Sequence, residues 1–399
     1  MTSVRLALFT DSAMLMEAGD PRPIRDQFVH FAKHLASDEL ELTIISRART
    51  PIDKFEGMEP LELSEQLRFV PLPYYANTRE FYRRLPGVVF RSWSAIRREC
   101  VRADIVCLRH HHCMAPWIWS AARLAEIPLT IYWAGPPITE SAKRNHPAGL
   151  KGFVARRVAA AEQLFAYRSA STAVQHFFVD RDEWVIMGRP DPKAWVVPTL
   201  ISESALPAAP PLRSHPGCRF LFAGRVARHK GVYDLLTAFE RLADVDSRVT
   251  LMYVGHGEEL EALRETVGES RHVARIEIAG GLSRSELADV MRSHDVLCLP
   301  SYAEGLPKVM WEAWSAGMAL LISDVGSIRY FVEDGLSGLM FEPGNATALD
   351  AAMTRVAADA VFRRSLGSRG LEMTRKHTRE AATDHFRRVI ISRARGERT

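Results

Sequence analysis

The sequence predicts an α/β protein in which two doubly wound parallel sheets form separate domains, and three observations carry this prediction. Its 399 residues exceed the size at which one hydrophobic core usually stops growing. Short apolar runs rich in β-branched residues alternate with longer amphipathic runs, as in parallel strands connected by helices. A stretch with four prolines and no apolar periodicity, SESALPAAPPLRSHPG at residues 202–217, separates two sets of such runs and is the predicted linker.

The predicted strands fall into two groups. On the N-terminal side they are VRLALFT, ELTIIS, LRFVPL, DIVCLR and LTIYWAG, and on the C-terminal side RFLFAG, RVTLMYVG, RIEIAG, DVLCLP and ALLISD. We therefore expect an N-terminal domain over residues 1–201 and a C-terminal domain over residues 218–379. A C-terminal helix at about residues 380–399 is expected to pack back on the N-terminal domain.

The composition is that of an ordinary globular protein, with 47% hydrophobic and 25% charged residues and a net charge of +4. No apolar run is long enough to cross a bilayer, and the first apolar run is too short for a signal peptide, so we expect a cytoplasmic protein. The five cysteines form no Cys-x-x-Cys pair, which argues against a disulfide framework and a structural zinc site.

Two cations follow the first strand of the C-terminal set. Arg225 and Lys230 lie five residues apart in RVARHKG, directly after RFLFAG. In doubly wound sheets ligands bind beyond the carboxyl ends of the strands, so both side chains are placed to reach an anion such as a diphosphate. Most lysines and arginines are simply solvated, and the spacing leaves that interpretation open.

Two glutamates flank a Gly-Leu-Pro turn in SYAEGLPKVMWEAWS, residues 301–315. A helix is predicted from about Leu306 to Ser315, so Glu304 lies in the loop before it and Glu312 in its second turn. Glu304 is also explained as an acid favoured by the helix dipole, and Glu312 as the partner of Lys308 in an i, i+4 ion pair. The predicted buried face of this helix consists of Val309, Met310, Ala313 and Trp314.

The order and spacing of four segments resemble a known family. FAGRVARHKGVYDLLTAF, YVGHGEELEAL, SYAEGLPKVMWEAWSAG and SDVGSIRYFVEDGLSGLMFEPGN together resemble the donor half of retaining nucleotide-sugar glycosyltransferases, glycosyltransferase family 4. The resemblance is strongest over about residues 220–345. It implies the GT-B fold, two facing Rossmann-like domains with a cleft between them. It also implies a retaining transfer of sugar from a nucleotide-sugar donor to a hydroxyl of a glycan or glycolipid acceptor, in cell-surface polysaccharide biosynthesis.

The resemblance also implies roles for individual residues. Arg225 and Lys230 would bind the donor diphosphate, Glu304 would face the hydroxyls of the donor sugar, and Glu312 would accept hydrogen bonds from the ribose. Arg225, Lys230 and Glu304 are thus the predicted catalytic residues, and no side-chain nucleophile is expected. The remaining predicted donor-binding residues are Gly224, Gly280, Gly281, Leu282, Gly305, Leu306 and Pro307.

No cofactor and no metal ion are expected. In the family the two cations would neutralise the charge that develops on the leaving diphosphate. Asp-x-Asp occurs at Asp180–Asp182 and at Asp244–Asp246. Both pairs lie in polar helix-edge contexts rather than after a buried strand, which argues against metal binding.

The acceptor side departs from the family pattern. Many members carry a histidine at the end of the strand that corresponds to LTIYWAG, where this chain has Trp133. The preceding strand ends in His110, His111 and His112, and one of these, or Trp133, is the candidate to take the place of the family's acceptor-side histidine. Alternation of side chains along a strand argues that the three histidines do not converge. Satisfied or solvated histidines are therefore preferred to a metal cluster. Gly19 is the best candidate for the glycine of the loop after the first strand.

Residues 79–102, REFYRRLPGVVFRSWSAIRRECVR, interleave arginines with aromatic residues. This pattern suits an anionic membrane surface, on the inner face of the plasma membrane, or a lipid-diphosphate acceptor. It equally suits an ordinary surface helix whose arginine stems cover apolar surface. Nucleic acid is not an expected partner, because no recognisable binding module is present.

Two other activities fit the same fold. One is a nucleotide-sugar epimerase or hydrolase, and the other is a non-catalytic nucleotide-sugar-binding protein. An epimerase or hydrolase converts the donor without an acceptor, and a binding protein releases no nucleoside diphosphate. Turnover measurements therefore separate the three.

Overall fold

The computed structural model describes residues 3–17, 19–24, 27–50, 59–134, 150–179, 196–197, 199–213 and 215–397. The chain divides into two compact units. Unit 1 consists of Met1–Leu200 together with Arg379–Thr399, and unit 2 consists of Ile201–Thr378. Each unit is built around its own mainly parallel sheet.

Eight strands form the sheet of unit 1 in the part of the chain that the structure describes. They are β1 (Val4–Phe9), β2 (Met14–Glu17), β3 (Asp20–Pro23), β4 (Leu40–Arg49), β5 (Leu67–Pro73), β6 (Ile105–His110), β7 (Leu129–Trp133) and β8 (Gln175–Phe178). Their order is β3-β2-β4-β1-β6-β7-β8, and β5 also pairs with β4. All pairings are parallel except that of β2 with β3, which form a hairpin.

The helices of unit 1 before the linker are α1 (Gln27–Ala32), α2 (Thr78–Arg83), α3 (Leu85–Arg102), α4 (Ala115–Leu124) and α5 (Leu150–Ala170). The Asn77 side chain accepts a hydrogen bond from the Glu80 amide at the start of α2, which satisfies one of the unpaired donors of its first turn. The central strands β1, β6 and β7 are almost wholly buried, as expected for a parallel sheet covered on both faces.

Unit 2 contains a second sheet, in the order β11-β10-β9-β12-β13-β14, with every pairing parallel. Its strands are β9 (Arg219–Ala223), β10 (Thr250–Val254), β11 (Ile276–Gly280), β12 (Val296–Leu299), β13 (Ala319–Ser323) and β14 (Leu339–Phe341). Its helices are α6 (Val232–Val245), α7 (Leu260–Gly268), α8 (Arg284–Ser293), α9 (Lys308–Ser315), α10 (Ala346–Ala358) and α11 (Ala360–Arg375).

Side-chain caps fix where several of these helices begin. Ser283 and Glu286 form a reciprocal capping box at the start of α8. Asn345 and Asp359 accept hydrogen bonds from the first-turn amides of α10 and α11. These caps satisfy first-turn amides of the three helices and so fix where each helix begins.

The predicted linker, residues 202–217, is packed on unit 2. The Arg213 guanidinium donates to the carbonyl oxygens of Ala316 at 2.8 Å and of Met291 at 3.3 Å, at the carboxyl ends of α9 and α8. Arg375 of α11 donates to the carbonyls of Pro207 and Ala208. This segment is therefore structurally part of unit 2.

The last helix, α12 (Arg379–Ala394), belongs to unit 1. Arg387 donates to the carbonyl oxygens of His34 at 2.9 Å and Leu35 at 3.1 Å, and the Phe386 ring stacks on Phe177 at 4.2 Å between centroids. Unit 1 is therefore assembled from both ends of the chain.

All ten predicted strands are present. Four further strands among the described residues, β2, β3, β8 and β14, were not predicted, and each is only three or four residues long. Two of them also lack a regular apolar alternation: β3 has the sequence DPRP and β2 the sequence MLME.

Candidate functional site

The loops after β9 and β12 cross closely at the carboxyl edge of the unit 2 sheet. A short 3-10 turn, Arg228–Lys230, ends at Gly231, whose φ of +67° is a left-handed conformation that favours glycine. A Cβ at Gly231 would overlap the carbonyl oxygen of Pro300, the residue after β12. The Tyr302 amide also donates to the His229 carbonyl at 2.8 Å. These contacts hold the two loops together and place Lys230 beside Glu304.

Lys230 and Glu304 form an ion pair of 2.6 Å between Nζ and Oε1. The two side chains are only 20% and 11% exposed. The Ser301 hydroxyl donates to the same carboxylate oxygen at 2.8 Å. The structure thus brings together two of the three predicted catalytic residues, and it adds Ser301, which sequence reasoning missed although it is the second residue after β12.

Arg225, the third predicted catalytic residue, has a different partner. Its Nε lies 3.0 Å from Oε2 of Glu258, and the two side chains are 66% and 51% exposed. Glu258 follows β10, in the HGEE segment that the family resemblance includes, but no role was predicted for it. In this structure Arg225 is therefore a solvent-exposed cation held by a neighbouring loop at the same edge of the sheet.

Glu312 lies on α9, and burial raises the pKa of its carboxyl group, an effect opposed by the positive charges of Arg284 and Lys308. The helix begins at Lys308 with Pro307 as its N-cap, two residues later than predicted. Its buried residues are Met310, Trp311, Ala313 and Trp314, so the predicted burial of Val309 was wrong and Trp311 takes that place.

A local reason explains the burial of Trp311. Its ring packs against Phe331 and His377, at 5.4 Å and 4.7 Å between centroids, so residues from later segments of the chain cover that side of α9. The indole of Trp314 donates to the Ser337 carbonyl at 3.1 Å. Helical periodicity alone does not show which side of a helix will be covered by later segments of the chain.

The other predicted donor-binding residues lie in loops at the same edge of the sheet. Gly305 is held by the Ser327 amide, which donates to its carbonyl at 3.1 Å. Gly326 has a φ of +56°, and a Cβ there would overlap the Glu304 carbonyl. A Cβ at Gly281 would overlap the His256 ring. Gly224 follows β9, Gly280 ends β11 and is followed by Gly281 and Leu282, and Leu306 and Pro307 precede α9.

The second Asp-x-Asp pair is engaged in ion pairs. Asp244 lies 2.7 Å from His272 Nε2 and also contacts Arg271, and Asp246 accepts from Arg248 at 2.9 Å. Asp180–Asp182 lies outside the described residues. Within the described ranges no group of three or more His, Cys, Asp or Glu side chains has an arrangement that could hold a metal ion.

Unit 1 has a cavity of about 400 Å³ whose lining includes all three predicted histidines. The expectation that they do not converge was wrong, because His110 is the last residue of β6 and the strand alternation does not extend to His111 and His112. Nδ1 of His110 lies 2.7 Å from Nδ1 of His111. Nδ1 of His112 accepts a hydrogen bond from the Met114 amide at 3.0 Å.

Acidic side chains also line this cavity. Asp11 accepts a hydrogen bond from the Tyr75 hydroxyl at 2.5 Å and pairs with Arg47 at 3.1 Å. Glu162 accepts a hydrogen bond from the Tyr82 hydroxyl, and burial raises the pKa of its carboxyl group. Neither carboxylate was predicted from the sequence.

Trp133 and Gly19 do not line the histidine cavity. Trp133 is 1% exposed, its Nε1 donates to His176 Nδ1 at 3.1 Å, and its ring lies 4.7 Å from that of His110. Gly19 is in the turn of the β2–β3 hairpin with a φ of +97°, and a Cβ there would meet nothing within 4 Å. Turn geometry therefore accounts for the glycine at position 19.

The arginine-rich segment forms α2 and α3. Phe81 and Ile96 are buried, whereas Phe90 and Val101 are 84% and 62% exposed. Exposed arginines accompany them at positions 79, 83, 84, 91, 97, 98 and 102. None of the described helices is long and apolar enough to cross a membrane.

Comparison with known proteins identifies the relatives of this chain. Residues 214–373 match the family model described as "Glycosyl transferases group 1". Phosphatidyl-myo-inositol mannosyltransferase of Mycobacterium leprae is 30% identical over 197 residues, which cover 48% of this chain and 52% of that protein. The match thus spans about half the length of this relative.

Solved structures resemble the chain over nearly its whole length. Sucrose-phosphate synthase from Thermosynechococcus elongatus is 18% identical with a TM-score of 0.73, over 97% of this chain and 98% of that one. Anabaena HepE in complex with UDP is 13% identical with a TM-score of 0.68, over 98% and 100% of the two chains. These likenesses confirm the predicted fold class, GT-B with two Rossmann-like domains. The Lys230–Glu304 pair lies within residues 214–373, the segment that matches the glycosyl transferases group 1 model.

Proposed function

We propose that this protein is a retaining glycosyltransferase of family 4 that moves a sugar from a nucleotide-sugar donor to a hydroxyl group of a glycan or glycolipid acceptor. One observation carries the proposal: a cation and a carboxylate, Lys230 and Glu304, meet at 2.6 Å at the carboxyl edge of the unit 2 sheet. Ligands bind at this edge in doubly wound sheets. A lysine beside a carboxylate suits a ligand that carries both a phosphate and hydroxyl groups.

The proposed chemistry assigns separate roles to these groups. The Lys230 ammonium and the Arg225 guanidinium stabilise the negative charge that develops on the diphosphate as the glycosidic bond breaks. The Glu304 carboxylate accepts hydrogen bonds from the sugar, and Glu312 accepts them from the ribose. The acceptor hydroxyl attacks from the face that the diphosphate leaves and gives its proton to the departing phosphate oxygen. This route needs neither a side-chain nucleophile nor a metal ion.

The names of the relatives support the choice of ligands. HepE was solved with UDP, which favours a nucleotide donor here. The Mycobacterium leprae relative is named as a phosphatidyl-myo-inositol mannosyltransferase, which favours a lipid-linked acceptor. We therefore place the reaction in the synthesis of a cell-surface glycolipid or polysaccharide.

The test is turnover of a panel of UDP- and GDP-sugars with a bacterial lipid extract as acceptor, with and without EDTA. We expect release of nucleoside diphosphate that requires the extract, is unaffected by EDTA, and gives a product with the anomeric configuration of the donor by NMR. Donor conversion without extract would favour an epimerase or hydrolase. A donor that binds without any release would favour a binding protein, and an inverted product would refute retention.

We also propose that α2 and α3 bind an anionic membrane surface, since exposed Phe90 is accompanied by exposed arginines on the same two helices. The test is flotation with vesicles in which roughly a third of the lipid is anionic. Replacing Arg83, Arg91 and Arg97 by glutamine should reduce the floated fraction severalfold. The matched control removes the same charge from exposed positions in unit 2, Arg241, Arg271 and Arg292. Equal loss in both variants, or none in either, would contradict the proposal.

A further inference from the structure

We propose that a cavity at the amino-terminal edge of the unit 2 sheet binds a small polyanion of the phosphate type. The cavity has a volume of about 280 Å³ and lies entirely within unit 2. This cavity is distinct from the candidate donor site, and the proposal that it binds an anion does not rest on the proposed glycosyltransferase function.

Its position follows from the residues that line it. Gly217 precedes β9, Arg248 precedes β10, Asp295 directly precedes β12, and Gly317 precedes β13. Lys230 and Glu304 follow the opposite ends of β9 and β12. Strands of four or five residues rise about 3.3 Å per residue, so a strand length of roughly 13 Å or more separates the two sites. One small ligand cannot contact both.

The charge of the lining is strongly positive. Its basic members are Arg213, His215, Arg248, Arg363 and Arg364, and its one carboxylate among the described residues is Asp295. Asp295 is already shared: its Oδ2 accepts from the Arg219 amide at 2.8 Å, and its Oδ1 lies 3.7 Å from Arg363 Nε. Arg248 is paired with Asp246 outside the lining and Arg213 donates to carbonyl oxygens, so the lining itself offers five basic side chains against one carboxylate.

One side chain of this cavity has buried polar atoms without a hydrogen-bond partner among the described residues. Both ring nitrogens of His215 are buried without a hydrogen-bond partner, although Nε2 lies 3.4 Å from an Asp295 oxygen. Arg364 also lines the cavity, and its side chain is exposed. Arg363 uses Nε and Nη1 for Asp295 and the carbonyls of Val356 and Ala357, which leaves Nη2. Buried polar groups normally have partners, so the two ring nitrogens of His215 indicate a ligand.

The size and the donor chemistry together select the ligand class. A volume near 280 Å³ lies at the lower limit of small-molecule sites, which run from about 300 to 1,000 Å³. Guanidinium groups bind phosphate and carboxylate through paired N–H donors, and phosphate offers more acceptor oxygens. Inorganic pyrophosphate and the phosphate end of a sugar phosphate or nucleotide share this chemistry, and they are the proposed ligands.

The experiment is calorimetric titration of inorganic pyrophosphate into the full chain. Since the donor site would also take pyrophosphate, the titration is made in a Lys230→Met background. We expect one remaining binding event. Adding Arg248→Gln and Arg364→Gln, two exposed positions, should weaken it at least tenfold without changing the melting temperature measured in the absence of ligand. The matched control adds Arg241→Gln and Arg292→Gln instead and should leave the affinity within twofold.

An NMR measurement locates the event. The Hε1 resonance of His215, assigned by its loss in His215→Asn, should shift on addition of pyrophosphate in the Lys230→Met background. Sugar phosphates and nucleoside monophosphates titrated in the same way distinguish the two sources of the phosphate group. The proposal is overturned if Lys230→Met alone abolishes pyrophosphate binding, if both arginine pairs affect it equally, or if the His215 resonance does not move.

Discussion

Changing Glu304 to glutamine should tighten the binding of a nucleoside diphosphate while it removes sugar transfer. In the structure the ammonium of Lys230 is held by this carboxylate at 2.6 Å. At an effective dielectric constant of about 20, two unit charges at this distance attract by roughly 6 kcal/mol before desolvation is subtracted. A bound diphosphate must share Lys230 with Glu304, and glutamine removes both the competition and the repulsion between two anions.

The two single variants should therefore move the affinity in opposite directions. A hydrogen bond to a charged group contributes about 1.5–3 kcal/mol, so Lys230→Met should weaken nucleoside diphosphate binding by roughly 10- to 150-fold. Glu304→Gln keeps Lys230 and the Ser301 hydroxyl beside the amide, and it should tighten binding by up to about tenfold, one unit of 1.4 kcal/mol. Both variants should lose sugar transfer, since one lacks the cation for the leaving group and the other lacks the charged acceptor for the sugar hydroxyls.

The assay is calorimetry of UDP and GDP with the wild type, both single variants and the double variant, together with release of nucleoside diphosphate. Thermal unfolding of each protein checks that the fold is retained. Weaker binding in both single variants would refute the idea that Glu304 competes for Lys230. Full transfer in either variant would remove that residue from the proposed catalytic set.

Two further predictions concern pH and burial. Because burial raises the pKa of Glu312, its charged form costs stability at neutral pH, and Glu312→Gln should raise the melting temperature at pH 8. This gain should shrink as the pH falls through the raised pKa, and the affinity for the nucleotide should drop about tenfold. A melting temperature that does not change with the substitution would contradict the argument. Burial against Trp311 lowers the pKa of His377 from 6.5 to about 4, so stability is fully present above pH 6.5 and falls by roughly 3 kcal/mol as the pH drops to 4 and below. Urea unfolding of unit 2 at pH 7.5 and pH 4.5 should show a smaller acid loss in His377→Leu than in the wild type, and equal losses would contradict the assignment.

The strands and helices that could be predicted are those whose burial is indicated by a local pattern of apolar residues. RFLFAG and DVLCLP are continuous apolar runs, and both are central strands of the unit 2 sheet. Arg225, Lys230 and Glu304 could be placed at one edge because the carboxyl ends of parallel strands meet there. The partners of these residues could not be predicted from the sequence, since the pairing of Arg225 with Glu258 depends on how two loops fold over one another.

The prediction that the three histidines do not converge was wrong for a related reason. Side-chain alternation is a property of extended backbone, and the chain leaves β6 at His110, so the positions of His111 and His112 are set by a turn. The basic cavity could not be predicted from the sequence, because its lining residues come from separate segments before four strands and from α11. No local pattern connects residues that only the sheet topology makes neighbours.

The position of α12 has a consequence for synthesis on the ribosome. Unit 2 is continuous in sequence, so it can complete its core once residue 378 has emerged. The rings of Phe177 and Tyr132 are covered only after Phe386 has been synthesised, because this residue of α12 packs on both of them. A nascent chain thus exposes an apolar face on its N-terminal half while unit 2 folds, and that face is covered only after α12 has left the exit tunnel.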